Sequence, residues 1–337
     1  MSNNSKSADS GAAVVVRGIR KRFGNVVALD DVSFEVGRGE VIGLLGPNGA
    51  GKTTMVDILS TLTRPDAGTA TVGGYDVVSE SAGVRRSIML TGQQVAVDDM
   101  LSGEQNLVVF GRLYGLSKSA ARQRAQELLE QFDLVHAAKR RVSTYSGGMR
   151  RRIDIACGLV VQPQVAFLDE PTTGLDPRSR QAIWDLVGSF KKLGIATLLT
   201  TQYLEEADAL SDRIILIDRG TIIAEGTANE LKHRAGDTFC EIVPRDVNDL
   251  RAIVEALGSL LPEQQREMLT PDSDRITMPA PDGTATLIAA VQRLNAANID
   301  LADIALRRPS LDDVFLSMTA DPSEARALSH LAVEALP

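Results

Sequence analysis

The sequence has little of what a disulfide scaffold or a membrane span requires. Only two cysteines, Cys157 and Cys240, occur in 337 residues, far apart and without a Cys-x-x-Cys pair. This scarcity excludes a disulfide framework and predicts a reducing compartment, with both thiols buried and unreactive. No stretch approaches about 20 consecutive apolar residues, and the best candidate, 155–161, stops at Gln162 and Pro163. We therefore expect any membrane role to depend on a partner polypeptide.

Net positive charge and an apolar N-terminus are also lacking. The chain carries a formal net charge of −8, so electrostatics does not favour nucleic acid or an anionic lipid surface as a direct partner. The first ten residues are polar and lack the apolar core of a secretory signal, which leads us to expect a cytoplasmic protein that binds no nucleic acid. A length of 337 residues suits two domains.

Short apolar strands alternate with longer helical patterns from Val14 onward. Near-continuous apolar runs predict strands buried on both faces at 41–45, 165–168, 196–200 and 214–217. This alternation is typical of an α/β fold with a largely parallel sheet. The expected organisation is a disordered tail over 1–12, a first domain over 13–235 with a mostly helical insertion over about 98–161, a small α/β domain over 236–319 and a flexible tail over 320–337.

Shorter patterns predict the elements of the insertion and of the second domain. In the insertion, helices are expected over 101–113 and 119–132, the second opened by a serine. In the second domain, strands are expected over 239–243, 275–278 and 301–306, and helices over 247–257, 286–297 and 311–319.

A phosphate cradle is predicted directly after the strand at 41–45. Its sequence is Gly46-Pro47-Asn48-Gly49-Ala50-Gly51-Lys52-Thr53-Thr54, which matches G-x-x-x-x-G-K-[ST] and precedes an apolar helical pattern. Glycines let backbone N–H groups surround phosphate oxygens, and the helix directs its positive end at the anion. The motif predicts ATP as ligand, with Lys52 on the β- and γ-phosphates and the Thr53 hydroxyl on Mg²⁺.

Two carboxylates, Asp169 and Glu170, follow the apolar strand at 165–168. Alone, such acids usually belong to a solvated loop. Beside a phosphate cradle, however, Asp169 suits a Mg²⁺ ligand, directly or through water. Glu170 suits the general base that polarises the attacking water.

With a third segment, Tyr145-Ser146-Gly147-Gly148-Met149, these motifs resemble those of the nucleotide-binding subunits of ABC transporters. The resemblance covers about residues 14–235 and implies a P-loop ATPase fold of ABC type, with a mixed sheet and a helical subdomain. The third segment is similar to the family's signature loop and precedes a helix expected over 151–159. The resemblance implies a homodimer in which Ser146, Gly147 and Gly148 serve the ATP held by the other subunit.

Three further residues have roles only through this resemblance. Gln93 is similar to the Q-loop glutamine that senses Mg²⁺ and the water, with the adjacent Gln94 as a rival. Phe23 is similar to the aromatic residue that stacks on adenine; packing in the core or a hairpin is the alternative. Asp176 ends the segment Thr173-Gly174-Leu175-Asp176, which is similar to the D-loop at the dimer seam.

One position departs from the broad family. Where most members carry a switch histidine, this chain has Gln202, and none of its three histidines lies nearby in sequence. An amide can hydrogen-bond a γ-phosphate but cannot carry a proton away. We therefore expect hydrolysis, with Glu170, Gln202 and Lys52 as its catalytic residues, to survive with an altered rate or pH dependence.

Gln202, the run of arginines at 150–152 and the segment 308–316 narrow the resemblance to the daunorubicin-resistance ATP-binding proteins, the DrrA family. The resemblance then extends to about Thr319. It implies a subunit at the cytoplasmic face of the cell membrane that powers export of hydrophobic, anthracycline-like drugs or complex lipids. A separate integral-membrane permease is expected to bind most of the cargo. For the arginines themselves, a solvated packing face is favoured over phosphate contact.

Two other functions stay open. Gln202 suggests a nucleotide-switched regulatory or assembly protein with little turnover. A soluble ABC protein that acts on ribosomes or DNA is disfavoured by the single cradle, the lack of sustained heptads and the acidic charge. The segment 237–319 shows no catalytic constellation, so a regulatory or dimer-supporting role is preferred to drug binding. Within it, 311–316 is expected to dock on the partner's ATP domain.

Overall fold

The computed structural model describes residues 11–92, 96–235, 238–262 and 274–319, with the backbone alone at 235 and 316–319. The chain divides into two compact units between Ala228 and Asn229, whereas the sequence placed a domain boundary after residue 235. The flexible tail expected over 320–337 lies outside the described residues. Of the tail expected over 1–12, only residues 11 and 12 are described, and Ala12 already belongs to a strand.

The strands alternate with the helices along the chain as the sequence predicts. They are β1 (Ala12–Phe23), β2 (Val26–Gly37), β3 (Val41–Leu45), β4 (Ala67–Val72), β5 (Tyr75–Asp76), β6 (Ile88–Thr91), β7 (Val165–Asp169), β8 (Ala196–Thr201), β9 (Arg213–Asp218), β10 (Thr221–Gly226), β11 (Phe239–Pro244), β12 (Ile276–Pro279) and β13 (Leu301–Arg307). The helices are α1 (Lys52–Leu59), α2 (Ser81–Ser87), α3 (Gly103–Leu113), α4 (Lys118–Gln131), α5 (Gly147–Gly158), α6 (Pro177–Lys192), α7 (Leu204–Leu210), α8 (Ala228–Ala235), α9 (Leu250–Leu257), α10 (Thr284–Ala296) and α11 (Leu311–Thr319).

A six-stranded mixed sheet forms the centre of the first unit. Its order is β10-β9-β3-β8-β7-β6, with parallel pairing from β9 to β6 and β10 antiparallel to β9. All residues of β3, β7 and β8 are buried, because α1 and a second sheet pack on one face and α5 and α6 pack on the other. The four strands predicted from apolar runs are therefore confirmed.

A second, antiparallel sheet in the order β2-β1-β4-β5 shares a core with this first sheet. The shared core includes Val14 and Val16 of β1, Met55 and Ile58 of α1, and Phe167 of β7. Burial of this apolar surface stabilises the unit by about 25 cal/mol per Å². It also fixes the start of α1 against the sheet, which positions the cradle.

The insertion is helical, as predicted, and its helices begin at serine caps. The Ser102 hydroxyl accepts a bond from the Gln105 N–H, and the Gln105 side-chain oxygen accepts one from the Ser102 N–H, so α3 starts with a capping box. Ser117 caps α4 in the simpler way. The prediction for α5 was wrong at its start: the helix begins at Gly147, not at residue 151, because Ser146 caps it.

The C-terminal unit contains an antiparallel sheet in the order β12-β11-β13. Its core joins Cys240 and Ile242 of β11 with Ile253 and Leu257 of α9. All the strands and helices predicted for 239–319 occur, with bounds shifted by a few residues. Both cysteines are buried and free, as predicted. In the described part of the chain, no helix is long and apolar enough to cross a membrane.

Candidate functional site

Four parallel strands of the six-stranded sheet end at one edge, and each is followed by a segment that the sequence singled out. The cradle follows β3 at Gly46, Glu170 follows β7, Gln202 follows β8, and Gly92 follows β6. Ligands in open α/β sheets bind outside the carboxyl ends of the strands. The fold thus brings the cradle, the acids and the switch position to the same edge.

The cradle needs glycine at two positions because other backbone segments pass close by. A Cβ at Gly46 would lie 2.2 Å from the carbonyl oxygen of Ile217. At Gly51, φ is +105° and a Cβ would lie 2.4 Å from the carbonyl oxygen of Ala28. Between them, Pro47, Asn48 and Gly49 are exposed and Ala50 is buried. The exposed stretch leaves this side of the loop open to a ligand.

The Lys52 ammonium lies inside the loop that it closes. Its Nζ donates to the carbonyl oxygens of Gly46, at 2.7 Å, and Pro47, at 3.0 Å. Burial lowers the pKa of Lys52, while the negative charges of Glu170 and Asp169 act in the opposite direction. A buried cation that faces two carboxylates across an anion-binding loop is suited to hold a phosphate.

Asp169 links the cradle to the neighbouring strand. Its Oδ2 accepts a bond from the Thr53 hydroxyl at 3.1 Å, and its Oδ1 accepts one from the Thr200 hydroxyl at 2.5 Å. Asp169 and Thr200 are register partners in β7 and β8, and both are buried. Thr53 and Asp169 together offer hydroxyl and carboxylate oxygens, the hard ligands that Mg²⁺ prefers.

Glu170 is held in an unusual backbone conformation at the end of β7. Its φ is +47°, in the left-handed region that non-glycine residues seldom occupy. Its N–H donates to the Thr200 carbonyl at 3.1 Å and to the Thr200 hydroxyl at 3.0 Å. The Thr173 hydroxyl donates to its Oε2 at 3.2 Å. The carboxylate therefore has a defined direction at the edge of the sheet.

The arginines at 150–152 differ from the expected solvated face at one position. Arg151 is buried and its guanidinium contacts three backbone carbonyl oxygens, those of Asp169, Pro171 and Gly92. Burial lowers its pKa, but an arginine stays charged at any physiological pH. The prediction of a solvated face was wrong for Arg151 because this side chain points from α5 toward the end of β7.

The signature-like segment lies at the start of α5. The Ser146 hydroxyl accepts a bond from the Met149 N–H at 3.3 Å, and Ser146 and Gly147 are exposed. Gly148 is buried against α6, where a Cβ would lie 2.3 Å from the Ser179 hydroxyl. An exposed helix start of this kind is a surface for an anion.

Asp176 caps the following helix, α6. Its carboxylate accepts bonds from the Ser179 hydroxyl at 2.6 Å and the Ser179 N–H at 3.0 Å. These two bonds hold the pKa of Asp176 below its usual range. The structure thus gives Asp176 a local capping role.

The remaining predicted residues have separate positions. Gln202 is half-buried and lies between Thr201 and Tyr203, whose N–H bonds the Thr201 hydroxyl at 2.9 Å. Phe23 ends β1 in the hairpin to β2, is 52% exposed, and lies 5.2 Å below the Lys21 ammonium. The prediction at Gln93, like its rival Gln94, lies outside the described residues.

Sequence reasoning missed a buried carboxylate beside the switch position. Glu206 of α7 accepts bonds from the Thr172 hydroxyl at 2.8 Å and from Trp184 Nε1 at 3.3 Å. Through these two bonds Glu206 connects α7 to the segment after Glu170 and to α6. Burial raises the pKa of Glu206.

Asp154 and Thr200 were also not singled out from the sequence, although the sequence carried a signal for each. Asp154 interrupts the apolar run 153–157 of α5, and a buried acid at such a place requires a cationic partner such as Arg151. Thr200 is a hydroxyl residue at the end of an apolar strand, next to the strand that ends in Asp169.

Comparisons with known proteins agree with this geometry. The ABC transporter family profile matches residues 29–173. The doxorubicin resistance ATP-binding protein DrrA of Mycobacterium tuberculosis is 83% identical over 321 residues, which cover 95% of this chain and 96% of that protein. The daunorubicin/doxorubicin resistance ATP-binding protein DrrA of Streptomyces peucetius is 45% identical, with 96% and 97% covered.

A solved structure also matches the fold over much of this chain. It is the dimeric ATP-binding cassette in a post-hydrolysis state bound to ADP and Pi. The identity is 25% and the TM-score 0.58, with 64% of this chain and 98% of that chain covered. The fold of a P-loop ATPase of ABC type, predicted from the motifs, is confirmed.

Proposed function

The chain belongs to the ABC transporter family, within the daunorubicin and doxorubicin resistance ATP-binding proteins, and we propose that its ATPase activity drives efflux of hydrophobic drugs through a separate membrane permease. The observation that carries the proposal is the single edge at which Lys52, Thr53, Asp169 and Glu170 meet. Phosphoryl transfer needs these groups in place, since its catalysis is positioning and charge stabilisation. The cargo is inferred from the relatives' names.

The catalytic roles follow from the contacts of each side chain. The Lys52 ammonium neutralises phosphate charge, and the cradle N–H groups orient the phosphates. The Glu170 carboxylate, oriented by the Thr173 hydroxyl, accepts a hydrogen bond from the attacking water. Gln202, half-buried after β8, donates its amide to the γ-phosphate in place of a histidine.

Mg²⁺ fits the oxygen atoms that the site offers. Thr53 and Asp169 would hold the ion, since their side-chain oxygens already lie 3.1 Å apart. Mg²⁺ supplies charge that offsets the phosphate oxygens in phosphoryl transfer. Asp169 keeps its orientation toward this place through the bond from Thr200.

A homodimer would complete each site. Ser146 and Gly147 form an exposed helix start, and a second copy's γ-phosphate would meet it. The matched cassette structure is described as dimeric. Closure of two copies on two ATP molecules, followed by hydrolysis, gives the cycle that moves the permease.

The helical insertion offers a surface for the permease. On α3, Val109 and Leu113 are 43% and 78% exposed and lie one turn apart on the same face. Tyr114 and Met100, at either end of this helix, are also exposed. A membrane subunit that covers this apolar surface would bring the chain to the cytoplasmic face of the membrane.

The first experiment separates ATPase from transport. The tagged full chain is recovered from detergent-solubilised membranes of its own cells, and we expect a multi-span protein in stoichiometric yield. Glu170→Gln should bind a fluorescent ATP analogue normally yet lose about 10²–10⁴-fold in turnover. Cells that carry this variant should accumulate doxorubicin.

Three results would contradict the proposal. Recovery of ribosomal or DNA-repair proteins without a membrane protein would remove the exporter function. Normal turnover in Glu170→Gln would remove the assigned base. Unchanged doxorubicin accumulation with turnover lost would exclude the drug as cargo, and lipids would then be the alternative.

A further inference from the structure

The guanidinium of Arg151 donates hydrogen bonds to the backbone on both sides of Glu170. Arg151 Nη2 donates to the carbonyl oxygen of Asp169 at 3.2 Å, and Nε donates to that of Pro171 at 2.9 Å. The residue between these two carbonyls has a φ of +47°. Left-handed conformations of such residues persist only where their surroundings enforce them. The fork of Arg151 is placed to enforce this one.

The same side chain reaches the end of the neighbouring strand β6. Arg151 Nη1 donates to the carbonyl oxygen of Gly92 at 2.7 Å. Asp154, one turn further along α5, accepts a bond from the Ala96 N–H at 2.9 Å and lies 3.7 Å from the guanidinium. Arg151 and Asp154 therefore connect two strand ends, those of β6 and β7, to one helix.

That helix is capped by the signature-like serine, Ser146. The Arg150 N–H donates to the Ser146 carbonyl oxygen at 2.9 Å, and Arg151 is the next residue of the same helix. Five residues of α-helix span about 7.5 Å. A rigid element of this length transmits a displacement at Ser146 to the guanidinium.

We propose that Arg151 is a positioning residue that sets the backbone of Glu170 and makes it follow the helix start that receives the second copy's nucleotide. This rests on the proposed function, in which Glu170 is the base and Ser146 faces the partner's ATP. Asp154 keeps the buried guanidinium in place, since a buried charge is retained when it is paired. Glu170 then reaches its catalytic position only when the start of α5 contacts the second copy's nucleotide.

The test is Arg151→Lys in the full chain, with turnover and nucleotide binding measured separately. Lysine keeps the charge opposite Asp154, but it cannot hold the Asp169 and Pro171 carbonyls in one planar fork. We expect kcat to fall at least about tenfold, because small misplacement of a catalytic group is costly. The dissociation constant of a fluorescent ATP analogue should change less than about threefold, because Arg151 is bonded to the backbone beside Glu170 and not to the cradle.

Arg124 of α4 offers a matched control, because it contacts the backbone just after the C-terminal end of α5. Its guanidinium also donates to two carbonyl oxygens, those of Leu159 at 3.1 Å and Val160 at 3.3 Å. Arg124→Lys removes the same kind of fork without touching the backbone beside Glu170. Its turnover should stay within about twofold of the wild type, whatever its thermal stability, if only the position beside the base matters.

Coupling to the helix start is tested by a double-mutant cycle. Ser146→Ala should reduce turnover in the wild type and reduce it much less in Arg151→Lys, since both act on one element. Additive effects would overturn the coupling. Normal turnover in Arg151→Lys, or equal losses in Arg151→Lys and Arg124→Lys, would overturn the positioning role.

Instability and failure of the base assignment are both distinguishable. If Arg151→Lys does not fold, Asp154→Asn replaces it, because asparagine keeps an oxygen for the Ala96 N–H while the guanidinium loses its anion. A drop in kcat with unchanged nucleotide affinity is again the supporting result, and unchanged kcat is the contrary one. Full turnover in Glu170→Gln would defeat the proposed function itself, independently of Arg151.

Discussion

Replacing Thr200 with valine should separate the hydroxyl's effect from the effect of its shape. Thr200 is completely buried, and its hydroxyl donates to Asp169 Oδ1 at 2.5 Å while it accepts from the Glu170 N–H at 3.0 Å. Valine has nearly the same volume and the same branched Cβ, so β8 should keep its packing. The carboxylate loses a hydrogen bond that water cannot replace at a buried site.

The size of the effect follows from what each partner keeps. The Glu170 N–H retains the Thr200 carbonyl at 3.1 Å, so the principal loss is the bond to the ionised Asp169. Hydrogen bonds to charged groups contribute about 1.5–3 kcal/mol. A unit of 150–250 residues loses about 2–4 °C in Tm per kcal/mol. Thr200→Val should therefore lower Tm by about 3–12 °C.

The single tryptophan, Trp184 of α6, reports unfolding of the ATP-binding unit by fluorescence. Thr200→Ser is the control, because it keeps the hydroxyl and loses one buried methyl, worth about 1 kcal/mol. Turnover should fall in the valine variant, since Asp169 and Glu170 both lose a contact that directs them. Serine and valine variants of equal Tm and equal turnover would refute the reasoning.

The other predictions concern three positions. Gly148→Ala puts a Cβ 2.7 Å from Ser179 Cβ and should lower the free energy of unfolding by about 1–3 kcal/mol. Gly147→Ala, whose new Cβ would have its nearest neighbour at 3.7 Å, should leave stability nearly unchanged. Equal melting temperatures for the two variants would contradict this. Burial raises the pKa of Glu206, so stability should fall as pH rises through the window between its unfolded and folded pKa values. Glu206→Gln should therefore gain Tm relative to the wild type from pH 5 to pH 7.5, and a constant difference would be the contrary result. Gln202→His should alter the rate or the pH profile of ATP hydrolysis, and if both stay unchanged the glutamine is neutral.

The fold was readable where burial imposes a simple pattern. The strands β3, β7 and β8 are buried at every residue, so their sequences are apolar apart from three threonines in β8 and the aspartate that ends β7. The start of α5 was not readable, because glycines at 147 and 148 have low helix propensity. Tertiary packing overrides propensity there: the absence of a Cβ at Gly148 allows the approach to Ser179.

The residues of the candidate site could be predicted only where they are adjacent in the sequence. The cradle is nine consecutive residues, and Asp169 and Glu170 are adjacent, so spacing identified them. The contacts of Arg151 join segments that lie apart in the sequence. Side chains that act on backbone carbonyls leave no pattern in residue type at the receiving end, since every residue has a carbonyl.

In the proposed mechanism, two supports of Glu170 make a glutamine at position 202 compatible with turnover. Thr200 fixes the Glu170 N–H from the strand side, and Arg151 fixes the flanking carbonyls from the helix side. With Glu170, the proposed base, oriented from both directions, Gln202 would have only to donate a hydrogen bond to phosphate, which an amide does without carrying charge. Because this mechanism assigns proton acceptance to Glu170 alone, loss of either support should reduce turnover more than removal of the Gln202 amide.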